Sequence, residues 1–312
     1  MKRVRFVCAQ PAIKYYAWQV EVMINNFIEM GVNPNQIDIV SKIENGVVPD
    51  EWNKLRHGYA ARFFFYSDQR TSTSYISSIR PNILKQHWAA NSYLERETIF
   101  YHDCDILFTK PVYDWITNQM IHDDYWYGSD TRWYIAYSYI VGKGQDVLDK
   151  MCELVGISEA LVQQNELNSI GAQYLMKNVD YEFWNSCERD CENLFANITK
   201  LNNQKKAADP NYHELQIWCA DMWALLWNAW KRGVNTVCHK NFEFSWATSN
   251  AEDFHQLNIF HNAGITTNQN RQFYKADYMN SLPYNLNLDI DINSASKKYY
   301  DFVQKVGKVS KL

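Results

Sequence analysis

The sequence predicts an α/β fold, a Rossmann-like and largely parallel sheet flanked by helices, and three observations predict it. Short β-rich runs alternate with longer mixed apolar segments of helical length through the first hundred residues. Breakers stand at the joints of this alternation, with Pro11 after the first strand, Gly31 at the end of the first helix and Pro81 at the start of a later one. The chain has 312 residues, 46% apolar and 21% charged, which is enough to bury a sizeable core and excludes disorder and a coiled coil.

The elements follow in order. Residues 4–8 are β-rich, and 13–30 form a helix stopped by Gly31. The stretch 36–40 reads as the second strand, and 61–66, containing Phe63-Phe64-Phe65, as the third, before a polar loop over 67–74. Pro81 opens a helix that runs to about residue 93, and 98–101 is a short buried strand ending in His102-Asp103-Cys104-Asp105. After Pro111 the apolar runs 126–129 and 134–141 continue the pattern, and a helix covers 145–155. Further helices are expected around 172–176, 182–201 and 215–231, with 202–211 as the main internal loop. A late strand-like run covers 257–260. From 284 onward Asn and Asp dominate before a basic amphipathic end at 299–312, which packs as a strap or stays mobile. With no repeat, low-complexity tract or clear linker, the expectation is one domain over 1–283 and a C-terminal extension over 284–312.

Charge excludes little. The 31 Lys+Arg and 35 Asp+Glu leave a net charge of −4, too even to announce a polyanion-binding surface, although a local basic groove stays open. The 15% aromatic share, with 12 Trp and 21 Tyr, suits a large aromatic core as well as it suits stacking on bases or sugar faces. Seven cysteines with no C-x-x-C pair point to a reducing compartment, and Cys187 and Cys191 read as core packing before metal ligation. No apolar run of 18 residues occurs, so the expectation is no signal peptide, no membrane span and a cytoplasmic protein.

The chemistry concentrates at Asp103-Cys104-Asp105. Two carboxylates one residue apart at the end of an apolar strand lie where open α/β sheets bind ligands. Such a turn can hold Mn²⁺ or Mg²⁺, leaving positions for water and phosphate oxygens, whereas two nearby acids on their own are more often solvated loop residues. The run 257–260 ends in His261-Asn262-Ala263-Gly264, whose imidazole offers a third ligand or serves as a structural hydrogen-bonded histidine. Asp221 sits on the apolar face of 217–227, where an acid needs a partner or a task. Asp130 falls in a turn-like Gly128-Ser129-Asp130-Thr131-Arg132, and Gly171-Ala172-Gln173 presents an amide to a sugar or only starts a helix. Gly142-Lys143-Gly144 is too short for a phosphate-cradling loop and lacks its Ser/Thr.

Together these residues resemble the GT-A family of nucleotide-sugar-dependent glycosyltransferases, through the strand-terminal Asp103-Cys104-Asp105, the α/β opening and the late His261-Asn262-Ala263-Gly264. Within it the chain is most similar to the hydroxyproline arabinosyltransferase and peptidyl-serine galactosyltransferase group and its phage-like relatives, over 15–27, 80–88, 100–111 and 217–233. The signal anchor of the plant enzymes is lacking, which points to host cytoplasm for a phage-encoded chain. The resemblance implies Asp103, Asp105 and His261 as ligands of Mn²⁺ or Mg²⁺, with Asp103 also facing the ribose. It implies donor contacts from Gln10, Arg70, Arg80 and Gln173, a UDP-linked sugar as donor, and Asp221 or Asp130 as base should the reaction invert. The implied acceptor is a hydroxyl, that of a hydroxymethylated DNA base, or otherwise of a protein or a glycan. Two rivals stand beside it. A HAD-type phosphatase also uses D-x-D after a strand, but there the motif usually lies on the first strand and continues with Gly-Thr or a similar pair, whereas here Ile106-Leu107 follow. A non-enzymatic metal-dependent sugar-binding protein would bind free glycans without nucleotide.

Overall fold

The computed structural model describes residues 4–267 and 271–312, and the chain divides into two compact units. The first comprises Met1–Ser67, Phe100–His122 and Lys240–Leu312, and the second Asp68–Ile99 and Asp123–His239. In chain order the strands are β1 (Val4–Pro11), β2 (Ile37–Ile43), β3 (Arg62–Ser67), β4 (Thr98–Tyr101), β5 (Ile106–Phe108), β6 (Tyr125–Asp130), β7 (Ile170–Met176), β8 (Asn235–Cys238), β9 (Phe244–Trp246) and β10 (Ile259–His261). The boundary between residues 99 and 100 falls inside β4.

In the first unit β2 pairs in parallel with β1 and with β3, so the helices Lys14–Glu29 and Asp50–Gly58 are crossovers. Strands β1 and β2 are buried along nearly their whole length, which explains their continuous apolar runs. The first helix buries Trp18, Val22, Met23 and Phe27 and ends where Gly31 takes φ +88°. The second, not expected from the sequence, follows Pro49, with Asp50 and Glu51 in its first turn and Arg56 and His57 in its last, the polarity that suits the helix dipole. A separate small sheet runs β5-β10-β9, with β10 antiparallel to β5 and parallel to β9. The helix Ala295–Gly307 packs Tyr299, Tyr300 and Val303 into a core with Trp18, Leu107, Phe260 and Phe273. The end of the chain therefore docks as a strap: Ser310 Oγ and the Lys311 amide both donate to the buried Glu21 carboxylate, at 2.7 and 2.6 Å.

In the second unit β6 lies between β7, antiparallel, and β8, parallel. The helix Tyr181–Ala208 buries Trp184, Cys187, Cys191, Leu194 and Ile198 on one stripe and packs against Ile79–Ala90 and Ala220–Lys231. Both thiols at 187 and 191 are thus core residues, and all seven cysteines are free. Three expectations are corrected. Residues 202–208, expected within the internal loop 202–211, continue the helix Tyr181–Ala208, where the polar Asn202 is buried and donates to the Leu215 carbonyl at 3.0 Å. Residues 172–176 are strand, not helix: their good helix formers are overridden by pairing with β6 and by burial of Tyr174, Leu175 and Met176. Residues 134–141 fall in two short helices, Arg132–Ile135 and Tyr137–Val141, and do not extend the strand pattern. The α/β expectation holds in both units, and no helix among the described residues is long and apolar enough to cross a membrane.

Candidate metal centre

Strand β4 ends at Tyr101, and the turn that follows is anchored by the His102 amide donating to the Val7 carbonyl at 3.1 Å. His102 is fully buried and donates from Nδ1 to the Asp103 carbonyl at 2.8 Å, and burial pushes its pKa down to about 4, so it is a neutral structural group. Cys104 points inward, and burial, reinforced by the neighbouring Asp105 charge, raises its thiol well above the usual range. It stays protonated, leaving the two flanking carboxylates as the chemistry of the turn.

Strand β10 brings the third member. Its antiparallel register sets His261 opposite Ile106, the residue after Asp105, and the Asn262 amide donates to the Asp105 carbonyl at 2.9 Å. His261 Nε2 consequently lies 3.3 Å from Asp105 Oδ1 and 3.4 Å from Asp103 Oδ2. The imidazole plane is fixed by Trp246, stacked at 6.1 Å and 22°, and by Phe244 edge-on at 5.4 Å. Nδ1 is buried without a hydrogen-bond partner among the described residues, so Nε2 is the nitrogen aimed at the acids.

One ligand atom from each of Asp103, Asp105 and His261 lies within 4.8 Å of the others, and Asp105 is 6% exposed. Donors about 2.1 Å from one hard cation, in adjacent octahedral positions, stand roughly 3 Å apart. The observed spacings match that edge, so the two carboxylates and the imidazole are placed to hold one divalent cation.

A residue the sequence did not mark completes the electrostatics. Lys275 Nζ contacts Asp105 Oδ2, the oxygen that His261 does not face. Burial raises the Asp105 pKa, but Lys275 and then His261 outweigh it and hold the carboxyl well below the usual range. Burial likewise works against the Lys275 charge, and the Asp105 carboxylate more than offsets it. Tyr15, at the start of the first helix, feels both groups, and burial pushes its phenol up to about 12.

The other expected residues take these places. Gln10, in β1 of the first unit, donates to the Val40 carbonyl and to Ser41 Oγ at 3.3 and 3.1 Å, while its Oε1 meets no partner among the described residues. In the second unit Arg70 closes its own loop, bonded to both oxygens of Asp68, to the Tyr75 carbonyl and to Ser78 Oγ. Asp221 stands in the first turn of Ala220–Lys231, accepts from the Tyr75 hydroxyl at 2.6 Å and pairs with Arg80 at 3.5 Å, so those two candidates are brought together. Asp130 ends β6 and is forked by Arg132, which holds its carboxyl below the usual range. Gln173 lies in a bulge of β7: Gly171 and Tyr174 pair with the consecutive Ser129 and Gly128, leaving Ala172 and Gln173 extra, with Ala172 at φ +61°. Its side chain is fully buried, and neither amide atom meets a hydrogen-bond partner among the described residues.

No family model matches the chain, and no curated protein matches it. Solved structures similar to it include the apo structure of the WbbM bifunctional glycosyltransferase, with TM-score 0.48 and 9% identity over 98% of this chain. This chain spans only 50% of the WbbM chain. A glycosyltransferase involved in glycosylation of the major capsid of PBCV-1 is similar at TM-score 0.41 and 11% identity, over 85% of this chain and 95% of that one. The galactosyltransferase LgtC, in complex with donor and acceptor sugar analogues, is similar at TM-score 0.41 and 10% identity, over 97% and 96%. With TM-scores below 0.5 the likeness is distant.

Proposed function

We propose that the chain is a GT-A-like glycosyltransferase that moves a sugar from a nucleotide donor, UDP-linked, to a hydroxyl acceptor. The observation that carries the reading is the convergence of Asp103, Asp105 and His261, from a strand-end turn and a strand more than 150 residues away, at spacings that suit one hard divalent cation. A Mn²⁺ or Mg²⁺ ion held there supplies Lewis-acid neutralisation of the departing diphosphate.

The chain's own residues do the rest. In the transfer, the bond from the anomeric carbon to the diphosphate oxygen breaks, the acceptor oxygen bonds to that carbon, and the hydroxyl proton leaves. Asp221, oriented by Tyr75 and Arg80, is the acid assigned to that proton should the reaction invert. Asp130 is the weaker choice, because its pairing with Arg132 lowers its proton affinity. Gln173 and the Oε1 of Gln10 are buried amide atoms suited to donor hydroxyl and base groups. Arg80 and Arg70 serve the donor less directly, the latter by ordering its loop. Among acceptors, similarity to phage-like relatives favours a hydroxymethylated base in DNA, and similarity to the hydroxyproline arabinosyltransferase and peptidyl-serine galactosyltransferase group favours a protein hydroxyl.

Calorimetric titration of UDP and GDP with and without Mn²⁺ tests the donor site. Mn²⁺-dependent binding of one nucleotide, lost in Asp105→Ala, is the expected result. Binding of free glycans with no nucleotide binding under any metal condition would replace the transferase with a sugar-binding protein. Mass spectrometry of hydroxymethylcytosine DNA, a serine- and hydroxyproline-containing peptide and a glycan, each incubated with UDP-sugars, then sorts the acceptors.

A further inference from the structure

Lys275 is not needed to build the metal centre, yet it occupies part of it. Its half-buried side chain rises from the short 3₁₀ turn Lys275–Tyr278 and places the ammonium on Asp105 Oδ2, while Oδ1 of the same carboxylate faces His261 Nε2. The two acids carry two negative charges, and the lysine already cancels one. Of the charges acting on Lys275, Asp105 is the largest, followed by Tyr15 and Asp103, and the Tyr15 phenol, pushed up to about 12, stays neutral at ordinary pH. A divalent ion entering alone would share Asp105 with a fixed cation and would have to displace it or sit against it. A diphosphate changes this balance, because its oxygens offer the ammonium an anionic alternative to the carboxylate.

We propose that Lys275 is a resident counter-ion that keeps the Asp103–Asp105–His261 centre weak for divalent metal until a nucleotide diphosphate draws the ammonium away from Asp105. The inference rests on the metal-centre reading above and adds to it an order of assembly: metal and nucleotide bind as a coupled pair. Linkage then requires that nucleotide tighten metal by the same factor as metal tightens nucleotide.

The test is a Mn²⁺ titration followed by the electron paramagnetic resonance signal of the free ion, with no turnover involved. It uses the full chain, with and without UDP, in the native protein and in Lys275→Met, Lys275→Gln, Lys275→Arg and Asp105→Asn. Without UDP, Lys275→Met and Lys275→Gln bind Mn²⁺ at least tenfold tighter than the native protein, and Lys275→Arg, which keeps the charge, does not. The tightening of Mn²⁺ by UDP shrinks by a similar factor in the two neutral variants. Circular dichroism confirms that each variant is folded, and three substitutions at one half-buried position guard against a single misfolded protein. Unchanged or weaker nucleotide-free Mn²⁺ binding in both neutral variants overturns the counter-ion role while leaving the metal centre standing, provided Asp105→Asn still weakens binding. Absence of Mn²⁺ binding from every protein, with UDP present, removes the metal centre and this proposal together.

Discussion

Gln173 offers the sharpest separation between a residue kept for the fold and one kept for a ligand. Its side chain is fully buried, and neither Nε2 nor Oε1 meets a hydrogen-bond partner among the described residues. A buried amide left unsatisfied costs about 1–3 kcal/mol. Gln173→Met keeps nearly the same length and volume and removes both polar atoms, and volume-conserving swaps of this kind cost less than about 1.5 kcal/mol. The expected net effect is a gain of about 1 kcal/mol in stability, equivalent to roughly 2–4 °C in melting temperature for a chain of this size. The same substitution removes the amide proposed to meet the donor sugar, so on that reading kcat/KM for the nucleotide sugar falls by roughly 10- to 100-fold, the worth of one or two buried hydrogen bonds. Differential scanning fluorimetry and steady-state kinetics on the same preparations read both quantities. A variant that loses more than about 1 kcal/mol while keeping native kcat/KM would show that the amide serves the fold, and the ligand role would be withdrawn.

Three other outcomes are expected. EDTA abolishes sugar transfer and Mn²⁺ restores it, and Asp105→Asn lowers Mn²⁺ affinity by at least about 100-fold, measured by calorimetry with UDP present. At Asp123, burial raises the carboxyl, but the Lys177 ammonium and the Tyr127 hydroxyl outweigh it and hold the pKa below its unfolded value. Stability from this group is therefore present above the ordinary carboxylate range and is lost as pH falls through the folded value, so Asp123→Asn flattens the loss of urea stability as pH falls below the ordinary carboxylate range. Ala172→Gly relieves a left-handed alanine at φ +61°, and urea unfolding reports a gain of up to about 1 kcal/mol, with donor kinetics altered because the bulge aims Gln173.

Much of the first unit was legible because its signals are local. Strands covered on both faces read as unbroken apolar runs, Gly31 and Pro11 mark real joints, and the acids of Asp103-Cys104-Asp105 sit at a strand end as their spacing implied. A strand ending near His261 was legible because 257–260 is β-rich, and it proves to be Ile259–His261, whereas the residues alone left the imidazole open between a third ligand and a structural histidine. Residues 172–176 misread as helix because Ala, Gln, Leu and Met favour one, and nothing local reveals the partner strand or the bulge. Lys275 left no signal at all: its partner is 170 positions away, and a lone lysine between Tyr274 and Tyr278 looks like any surface cation.

The register of β10 connects the core to the chemistry. Successive side chains of a strand point to opposite faces, so a one-residue slip would carry His261 away from the acids. Phe260 opposes that slip: it is fully buried, stacked on Tyr299 at 5.3 Å and 26°, and packed by Phe254 at 5.4 Å. Burial of its ring against the helix Ala295–Gly307 and the exit of His261 toward Asp103 and Asp105 are consequences of one pairing, Phe260 with Leu107 and His261 with Ile106. The helix Ala295–Gly307 therefore contributes to the candidate site by making the alternative register costly. Asp103, Asp105 and His261 are held at their spacing by hydrophobic packing on the far face of the sheet, so the cation proposed for them would meet a site whose ordering entropy the fold has already absorbed.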